Sequence, residues 1–282
     1  MSKPHTMLAL TALSALLATG APIANATTPS AEAVVAGMVR AAGGADAYAA
    51  LGVLKLEVSE EETLSDGTVK RSAFIGYADC MSPDSLRLEL PGDVVLAKTP
   101  RGAWAKVKGE VDGRPQSPRM AAGTLNSKLF PIMLPFSLEA SGVELGTVEA
   151  ATFEGTPSWR LEVRFRQGFF IAPSMSGSWH VHAERASGRL LAAEFLPPPQ
   201  FRSVADEGVR YRALKTGTLG GVTLPEQLLL DGIDFDGRAN GHVRLTRVAI
   251  SVHGDFDPTL FMDPRELDAL DRGTVAPPST HS

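Results

Sequence analysis

The sequence predicts a mainly β protein of the α+β class, built on one strongly curved antiparallel sheet of about 11 strands that wraps around helices. Three observations lead to this prediction. Apolar and polar residues alternate over most of the chain, helical periodicity is confined to an N-terminal and a mid-chain segment, and no internal repeat or Gly/Ser-rich linker divides the chain. An N-terminal helix and a mid-chain helical insertion are expected to cover the concave face of the sheet.

Composition excludes several classes of protein. The chain has 282 residues, of which 44% are hydrophobic and 21% charged, which is typical of a globular domain and not of a disordered one. Its formal net charge of −5 provides no overall attraction to nucleic-acid phosphates, so we expect no nucleic-acid partner. Cys80 is the single cysteine, which excludes an intramolecular disulfide and favours a small buried side chain.

Residues 1–26 have the three regions of a cleavable export signal. Lys3 supplies the positive charge, residues 7–18 form a short apolar core, and Ala24-Asn25-Ala26 offers a small-residue cleavage site. The apolar core is shorter than the roughly 20 residues that a transmembrane helix needs. We therefore predict cleavage after Ala26 and a periplasmic location. The alternative is an uncleaved amphipathic helix.

The mature chain is predicted to begin with a helix. Ser30 is a suitable N-cap, Val34, Val35, Met38 and Val39 share one helical face, and Gly43-Gly44 ends the helix. A short helix at 46–50 follows.

From residue 54 the hydrophobic period changes to two, which indicates strands. We predict one domain over residues 27–264 and a flexible tail at 265–282. The strand segments lie at 54–58, 69–78, 86–90, 94–98, 103–108, 143–149, 159–165, 178–183, 189–196, 209–214, 222–230 and 242–252.

The alternation stops between residues 117 and 138. A helix is predicted near 119–129, and an apolar loop or short helix at 130–138, because Pro131 and Pro135 prevent one long helix. Five of the seven residues from Phe130 to Phe136 are large and apolar. They form either an ordinary piece of core or a mobile apolar lid on a lipid-sized cavity.

Two glycine-containing segments are interpreted as turns. Gly217-Thr-Leu-Gly220-Gly221 lacks the spacing of a phosphate-binding loop and lies between two predicted strands. The segment from Asp231 to Gly237 contains part of a calcium-loop pattern, but it lacks the acidic residue at the twelfth position.

His180 and His182 are the strongest candidates for chemistry. On a strand their imidazoles share one face, so they could form two legs of a metal site, with His242, His253 or an acid as the third ligand. The alternative is an ordinary polar strand face. Because no motif of a hydrolase, nucleotide-binding protein or metalloprotease is present, no enzyme activity and no cofactor are predicted.

The order of these features resembles the LolA/LolB-type superfamily of periplasmic lipoprotein and lipid carriers. The resemblance begins with the export signal, the helix that leads through Gly43-Gly44 into long strands, and the apolar insertion. It continues in Gly220-Gly221-Val-Thr-Leu-Pro225 and in the closing segment Asp255-Phe-Asp257-Pro-Thr-Leu-Phe261-Met-Asp-Pro264. It covers most of residues 31–264.

This resemblance implies a half-open β-barrel whose mouth is covered by helices and whose hydrophobic cavity takes the acyl chains of a lipid or lipoprotein. It also implies a membrane-associated donor or acceptor protein as a partner. The chain departs from the family in being longer, and no cysteine follows its signal for lipid attachment. The expected cavity or lid residues are Trp104, Leu129, Phe130, Ile132, Met133, Leu134 and Phe136. Two alternatives stay open: an interaction or lipid-sensing module, and a metal-dependent hydrolase that uses His180 and His182.

Overall fold

A computed structural model of the protein describes residues 27–171, 177–197, 208–254 and 257–271. The predicted export signal at 1–26 and the end of the predicted tail at 272–282 lie outside the described residues. Among the described residues, no helix combines the length and the apolar character needed to cross a bilayer.

Thirteen strands form a single antiparallel sheet that does not close into a barrel. This confirms the mainly β, antiparallel prediction, but the strand count is 13 and not about 11. Strand β6 has only two residues, which is too short for an alternation pattern to be recognised. The strands are β1 (Val53–Thr63), β2 (Val69–Asp79), β3 (Ser82–Leu90), β4 (Val94–Thr99), β5 (Gly102–Val107), β6 (Glu110–Val111), β7 (Val143–Phe153), β8 (Thr156–Phe165), β9 (Trp179–Glu184), β10 (Leu190–Phe195), β11 (Gly208–Leu219), β12 (Val222–Ile233) and β13 (Ala239–Gly254).

The strand order is β6-β5-β4-β3-β2-β1-β13-β12-β11-β10-β9-β8-β7. The chain therefore runs outward from the centre of the sheet to one edge and returns from the other edge, and the first strand pairs with the last. The connection between β6 and β7 joins the two edges of the open sheet. This connection contains the predicted insertion.

The first three helices lie where the sequence predicts helices. Helix α1 (Ala31–Ala41) is capped by the Ser30 hydroxyl oxygen, which accepts a hydrogen bond from the Ala33 N–H at 3.2 Å, and is followed by the short α2 (Ala45–Ala49). Helix α3 (Ser117–Leu129) forms the first part of the connection between β6 and β7, and a one-turn 3-10 helix follows at Phe136–Glu139.

Alternation along the strands gives the sheet two distinct faces. On β1, Leu54 and Leu56 are fully buried, whereas the neighbouring Glu57 is exposed. Leu129 of α3 packs against Gly76 on the same face as Leu56. We call the face that contacts α3 the inner face and the opposite one the outer face.

The C-terminal segment packs on the outer face. Helix α4 (Pro258–Phe261) places the fully buried Phe261 in a cluster with Val53 and Tyr77. The Trp104 indole N–H donates a hydrogen bond to the Phe261 carbonyl oxygen at 2.9 Å. Helix α5 (Pro264–Asp271) then occupies the start of the segment predicted to be a tail.

Candidate ligand-binding site

The apolar insertion, residues 130–138, lies deep inside the curved sheet. All nine residues are buried, although the segment has only one turn of 3-10 helix and belongs to no strand. Six of the seven residues predicted for the cavity or lid lie here or at the adjoining end of α3, and each is at most 6% exposed: Leu129, Phe130, Ile132, Met133, Leu134 and Phe136.

Phe130 is the aromatic anchor of this insertion. Its ring makes edge contacts with Phe165, Phe169, Phe170 and Trp179, at centroid distances between 5.3 and 6.0 Å. Edge-to-face geometry is the arrangement that aromatic quadrupoles favour. The insertion thus attaches to the second half of the sheet by packing.

The far end of the insertion attaches to the N-terminal helices. The Phe136 ring stacks on the Tyr48 ring of α2 at 3.8 Å and an interplanar angle of 3°. The Ser137 hydroxyl donates to the Phe130 carbonyl oxygen at 2.9 Å, which folds the segment back on itself.

A charged cluster holds the end of α3 to the sheet. The Lys128 ammonium donates to the Glu60 carboxylate at 2.6 Å, and Arg244 of β13 lies 3.9 Å from the other carboxylate oxygen. Burial raises the pKa of Glu60, but the nearby charges of Arg244 and Lys128 outweigh it and hold that pKa below its ordinary value. Glu60 is therefore ionised at neutral pH.

A second polar cluster joins strands β3 and β4 and the segment after β8 to α3. The buried Lys98 ammonium donates to Asp84 at 3.0 Å and to the Asn126 side-chain oxygen at 2.8 Å. The Asn126 amide donates to the Phe169 carbonyl oxygen, and the Ser141 N–H donates to Asp84. Burial lowers the pKa of Lys98, an effect that Asp84 partly offsets.

These contacts leave little empty space beneath the insertion. The cavity bounded by Leu86, Leu129, Phe130 and Met133 has a volume of about 20 Å³, which is roughly the room of one water molecule. A ligand could occupy the inner face only if the insertion moved out of it.

An open cleft of about 1070 Å³ is lined by described residues of six strands. It lies where the hairpin of β11 and β12 separates from β13. Val248, Ala249 and Ile250 line one side, and Leu224 and Glu226 line the other. The cleft extends past β1 and β2 as far as the end of β3, and its volume is slightly above the usual range for small-molecule sites.

The structure separates Trp104 from the other predicted cavity residues. Its strand neighbour Ala97 pairs in turn with Arg87, which pairs with Tyr77, and this row faces outward toward Phe261. Trp104 thus packs under the C-terminal segment on the outer face, away from the insertion.

His180 and His182 lie on the outer face, where His182 belongs to an ionic network. His182 Nε2 lies 3.2 Å from Glu194, and the Arg210 guanidinium donates to the same carboxylate at 2.6 Å. Burial, reinforced by the charge of Arg160, lowers the pKa of His180. No group of three or more His, Cys, Asp or Glu side chains suited to a metal occurs in the part of the chain that the structure describes.

Cys80 is buried and unpaired, as predicted. Burial raises the pKa of its thiol to about 12, so the reactive thiolate form is absent at neutral pH.

Sequence reasoning did not find the cleft. The one local signal was Pro225 inside an otherwise regular strand pattern, because proline cannot complete the hydrogen-bond ladder of a central strand. Nothing in the sequence marked the exposed Arg247 and Ala249 as lining a cleft, since exposed residues alternate with buried ones in any strand that has one solvated face.

The fold and the site define a class: an open antiparallel half-barrel whose concave face is filled by an apolar insertion that joins its two edges. Solved structures with this fold include a LolA superfamily protein from Nitrosomonas europaea, with a TM-score of 0.55 and 10% identity, covering 85% of this chain and 100% of that one. A DUF1329 family protein from Desulfovibrio piger has a TM-score of 0.53 and 10% identity, with 82% and 97% covered.

A domain described as that of an outer membrane lipoprotein-sorting protein from Vibrio parahaemolyticus has a TM-score of 0.52 and 11% identity, with 84% and 99% covered. No protein-family model and no curated protein matches the sequence. At these identities the comparisons confirm the predicted LolA-like resemblance as a likeness of fold.

Proposed function

We propose that the mature chain is a periplasmic binding or carrier protein that holds the acyl chain of a lipid or lipoprotein on the inner face of the half-barrel. The observation that supports this proposal is the apolar insertion, which fills the inner face although it belongs to no strand. A segment that reaches the core only by side-chain packing can exchange places with another apolar chain.

The free energy of burying an acyl chain is of the same order as that of burying the side chains of the insertion. Each methylene group removed from water contributes about 0.8 kcal/mol, so a long acyl chain offsets the loss of several buried side chains. The insertion presents its own apolar side chains to the sheet in the free protein. In the bound protein these side chains would cover the ligand.

In this proposal, the polar clusters at the base of the insertion keep α3 fixed, and residues 130–138 are the part that moves. Lys128 is held to Glu60, and Asn126 to Lys98, so α3 stays on the sheet while residues 130–138 swing. In this proposal the insertion is a lid, and a membrane-associated donor or acceptor protein would exchange the cargo with it. No catalytic step is part of the proposal.

The test is native mass spectrometry with lipid extraction on protein purified from the periplasm without detergent. A bound phospholipid, fatty acid or acylated peptide would support the proposal and identify the class of cargo. The proposal fails if the protein is free of lipid and also takes up no fluorescent fatty acid.

One observation favours a second candidate function, an interaction or lipid-sensing module without transport. The free volume beneath the insertion is only about 20 Å³, whereas the preformed cleft lies elsewhere. Capture of a defined partner by protein that carries no lipid would favour this module.

A further inference from the structure

The cleft of about 1070 Å³ exists because two neighbouring strands stop pairing. Strands β12 and β13 pair from Ile233 with Ala239 as far as Gln227 with Arg247. Beyond this point, residues 222–225 pair only with β11, and residues 248–252 and Gly254 pair only with β1, although all of them are described. The sheet therefore forks at Gln227 and Arg247.

Local features hold the fork open. Strand β11 has register shifts on both sides of Lys215, and such bulges bend a strand. Pro225 on β12 has no N–H to donate to a neighbouring strand. At the tip of the hairpin, the Thr223 N–H donates to the Ala42 carbonyl oxygen at 2.8 Å, so the end of α1 holds this hairpin.

The fork exposes two strand edges that face each other. Among the described residues, the Thr223 bond to Ala42 is the only backbone hydrogen bond that either edge makes outside its strand pairing. On the β12 edge, Thr223 donates its N–H to Ala42 and Pro225 has none, so these two residues offer carbonyl oxygens as acceptors. The β13 edge offers both N–H and C=O groups to a further strand. An acyl chain has no groups that could satisfy them, whereas an extended peptide has both a donor and an acceptor at each residue.

The charged side chains that line the cleft favour one kind of peptide. Most of the charged side chains that line the cleft already have ion-pair partners: Lys215 pairs with Glu226, Glu57 with Lys55, and Glu89 with Arg87.

Arg247, at the fork itself, is exposed, and no ion pair involves it in the described part of the chain. The neighbouring lining residues Ser59, Ala73 and Ala249 are small and leave room above the sheet. An incoming segment with an acidic side chain is therefore favoured.

We propose that this cleft binds an extended peptide segment, which adds as a strand between residues 222–226 and 248–254 and places an acidic side chain against Arg247. Strand addition of this kind takes affinity from main-chain hydrogen bonds and specificity from alternate side chains. The cleft borders the inner face at Val58, Phe74 and Val248, but no residue of the insertion lines it. Strand addition there does not depend on the proposed lipid-binding role.

The experiment uses the mature protein and a displayed library of peptides of about seven residues, which matches the length of the exposed β13 edge. We expect enrichment of β-branched sequences with a central acidic residue. The best peptide is then synthesised and its affinity measured by fluorescence anisotropy. Arg247→Glu should weaken binding about tenfold or more and transfer the preference to peptides with a central lysine. Lys70→Glu, an exposed charge reversal outside the cleft, is the matched control and should leave the affinity unchanged.

Hydrogen exchange locates the bound peptide. Protection confined to residues 222–226 and 248–254 supports strand addition. The proposal is overturned if no sequence is enriched at dissociation constants below about 1 mM, or if the peptide protects residues 130–138 instead. It is also overturned if oleate protects the cleft and no peptide does, since the cleft would then be an acyl-chain site. None of these results depends on whether lipid co-purifies.

Discussion

Phe130→Ala tests whether the apolar insertion is a lid that competes with ligand. Phe130 is 3% exposed and contacts four aromatic rings, so truncation removes a buried phenyl group from a close-packed cluster. Substitutions of this type cost about 3–5 kcal/mol. For a chain of this size the melting temperature should fall by roughly 6–20 °C.

The same substitution should strengthen ligand binding if the insertion must leave the inner face. In that case part of the binding free energy is spent on undocking the insertion, and Phe130→Ala makes undocking easier. A docking loss of about 3 kcal/mol would raise the apparent affinity up to roughly a hundredfold, because each 1.4 kcal/mol is a factor of ten.

The assay pairs guanidinium denaturation with titration of a fluorescent fatty acid. Phe130→Leu keeps an apolar side chain and serves as the milder variant, with smaller changes of the same sign. Val252→Ala, at a side chain that is 48% exposed, is the control that should change neither quantity.

Two results would refute the reasoning. A loss of unfolding free energy below about 1 kcal/mol would show that Phe130 is not an anchor of the cluster. A large loss of stability with unchanged or weaker fatty-acid affinity would show that the insertion is permanent core and that no ligand displaces it.

Three further predictions concern contacts that hold the fold. Lys98→Met removes the ammonium group that donates to Asp84 and Asn126, and leaves the half-buried Asp84 carboxylate with the Ser141 N–H as its donor. It should cost about 2–3 kcal/mol in urea denaturation, and a loss below about 1 kcal/mol would contradict a structural role for this cluster. Gly43→Ala should lower the melting temperature more than Gly221→Ala. Both glycines have positive φ, but a Cβ on Gly43 would lie 2.5 Å from the Gly221 carbonyl oxygen, whereas a Cβ on Gly221 would meet nothing within 4 Å. Equal melting temperatures of the two variants would refute this contact. Burial raises the pKa of Glu194, but hydrogen bonds from His182 and Arg210 outweigh burial and lower that pKa to about 2. Because the folded-state pKa is depressed, the ionised Glu194 stabilises the fold fully above about pH 4.3, and this stabilisation is lost as the pH falls toward 2. Glu194→Gln should therefore flatten the dependence of the unfolding free energy on pH in that range.

The class of the fold follows from local patterns in the sequence. Alternation of period two predicted an antiparallel sheet, and the loss of that period between residues 117 and 138 predicted the insertion, because these patterns are local and need no knowledge of neighbouring strands. Helix α1 was equally local, since Ser30 and the glycines after Ala42 fix its two ends.

Tertiary structure decided which face each residue occupies. Alternation shows that successive side chains point to opposite faces, but it does not say which face is inner. Trp104 was expected with the insertion, yet strand pairing through Ala97 puts it on the outer face. The partners of Phe130 also come from strands and loops more than 30 residues away, which no local pattern reveals.

The cleft depended most strongly on tertiary contacts. Pro225 and the bulge at Lys215 are local, but bulges and prolines also occur in sheets that stay paired. At the fork, Thr223 at the tip of the hairpin of β11 and β12 donates its N–H to Ala42 at the end of α1, about 180 residues earlier in the chain. A contact between such distant segments exists only once the sheet has curved around the helices, so the sequence specified the hairpin while the packed structure determined where it separates from β13.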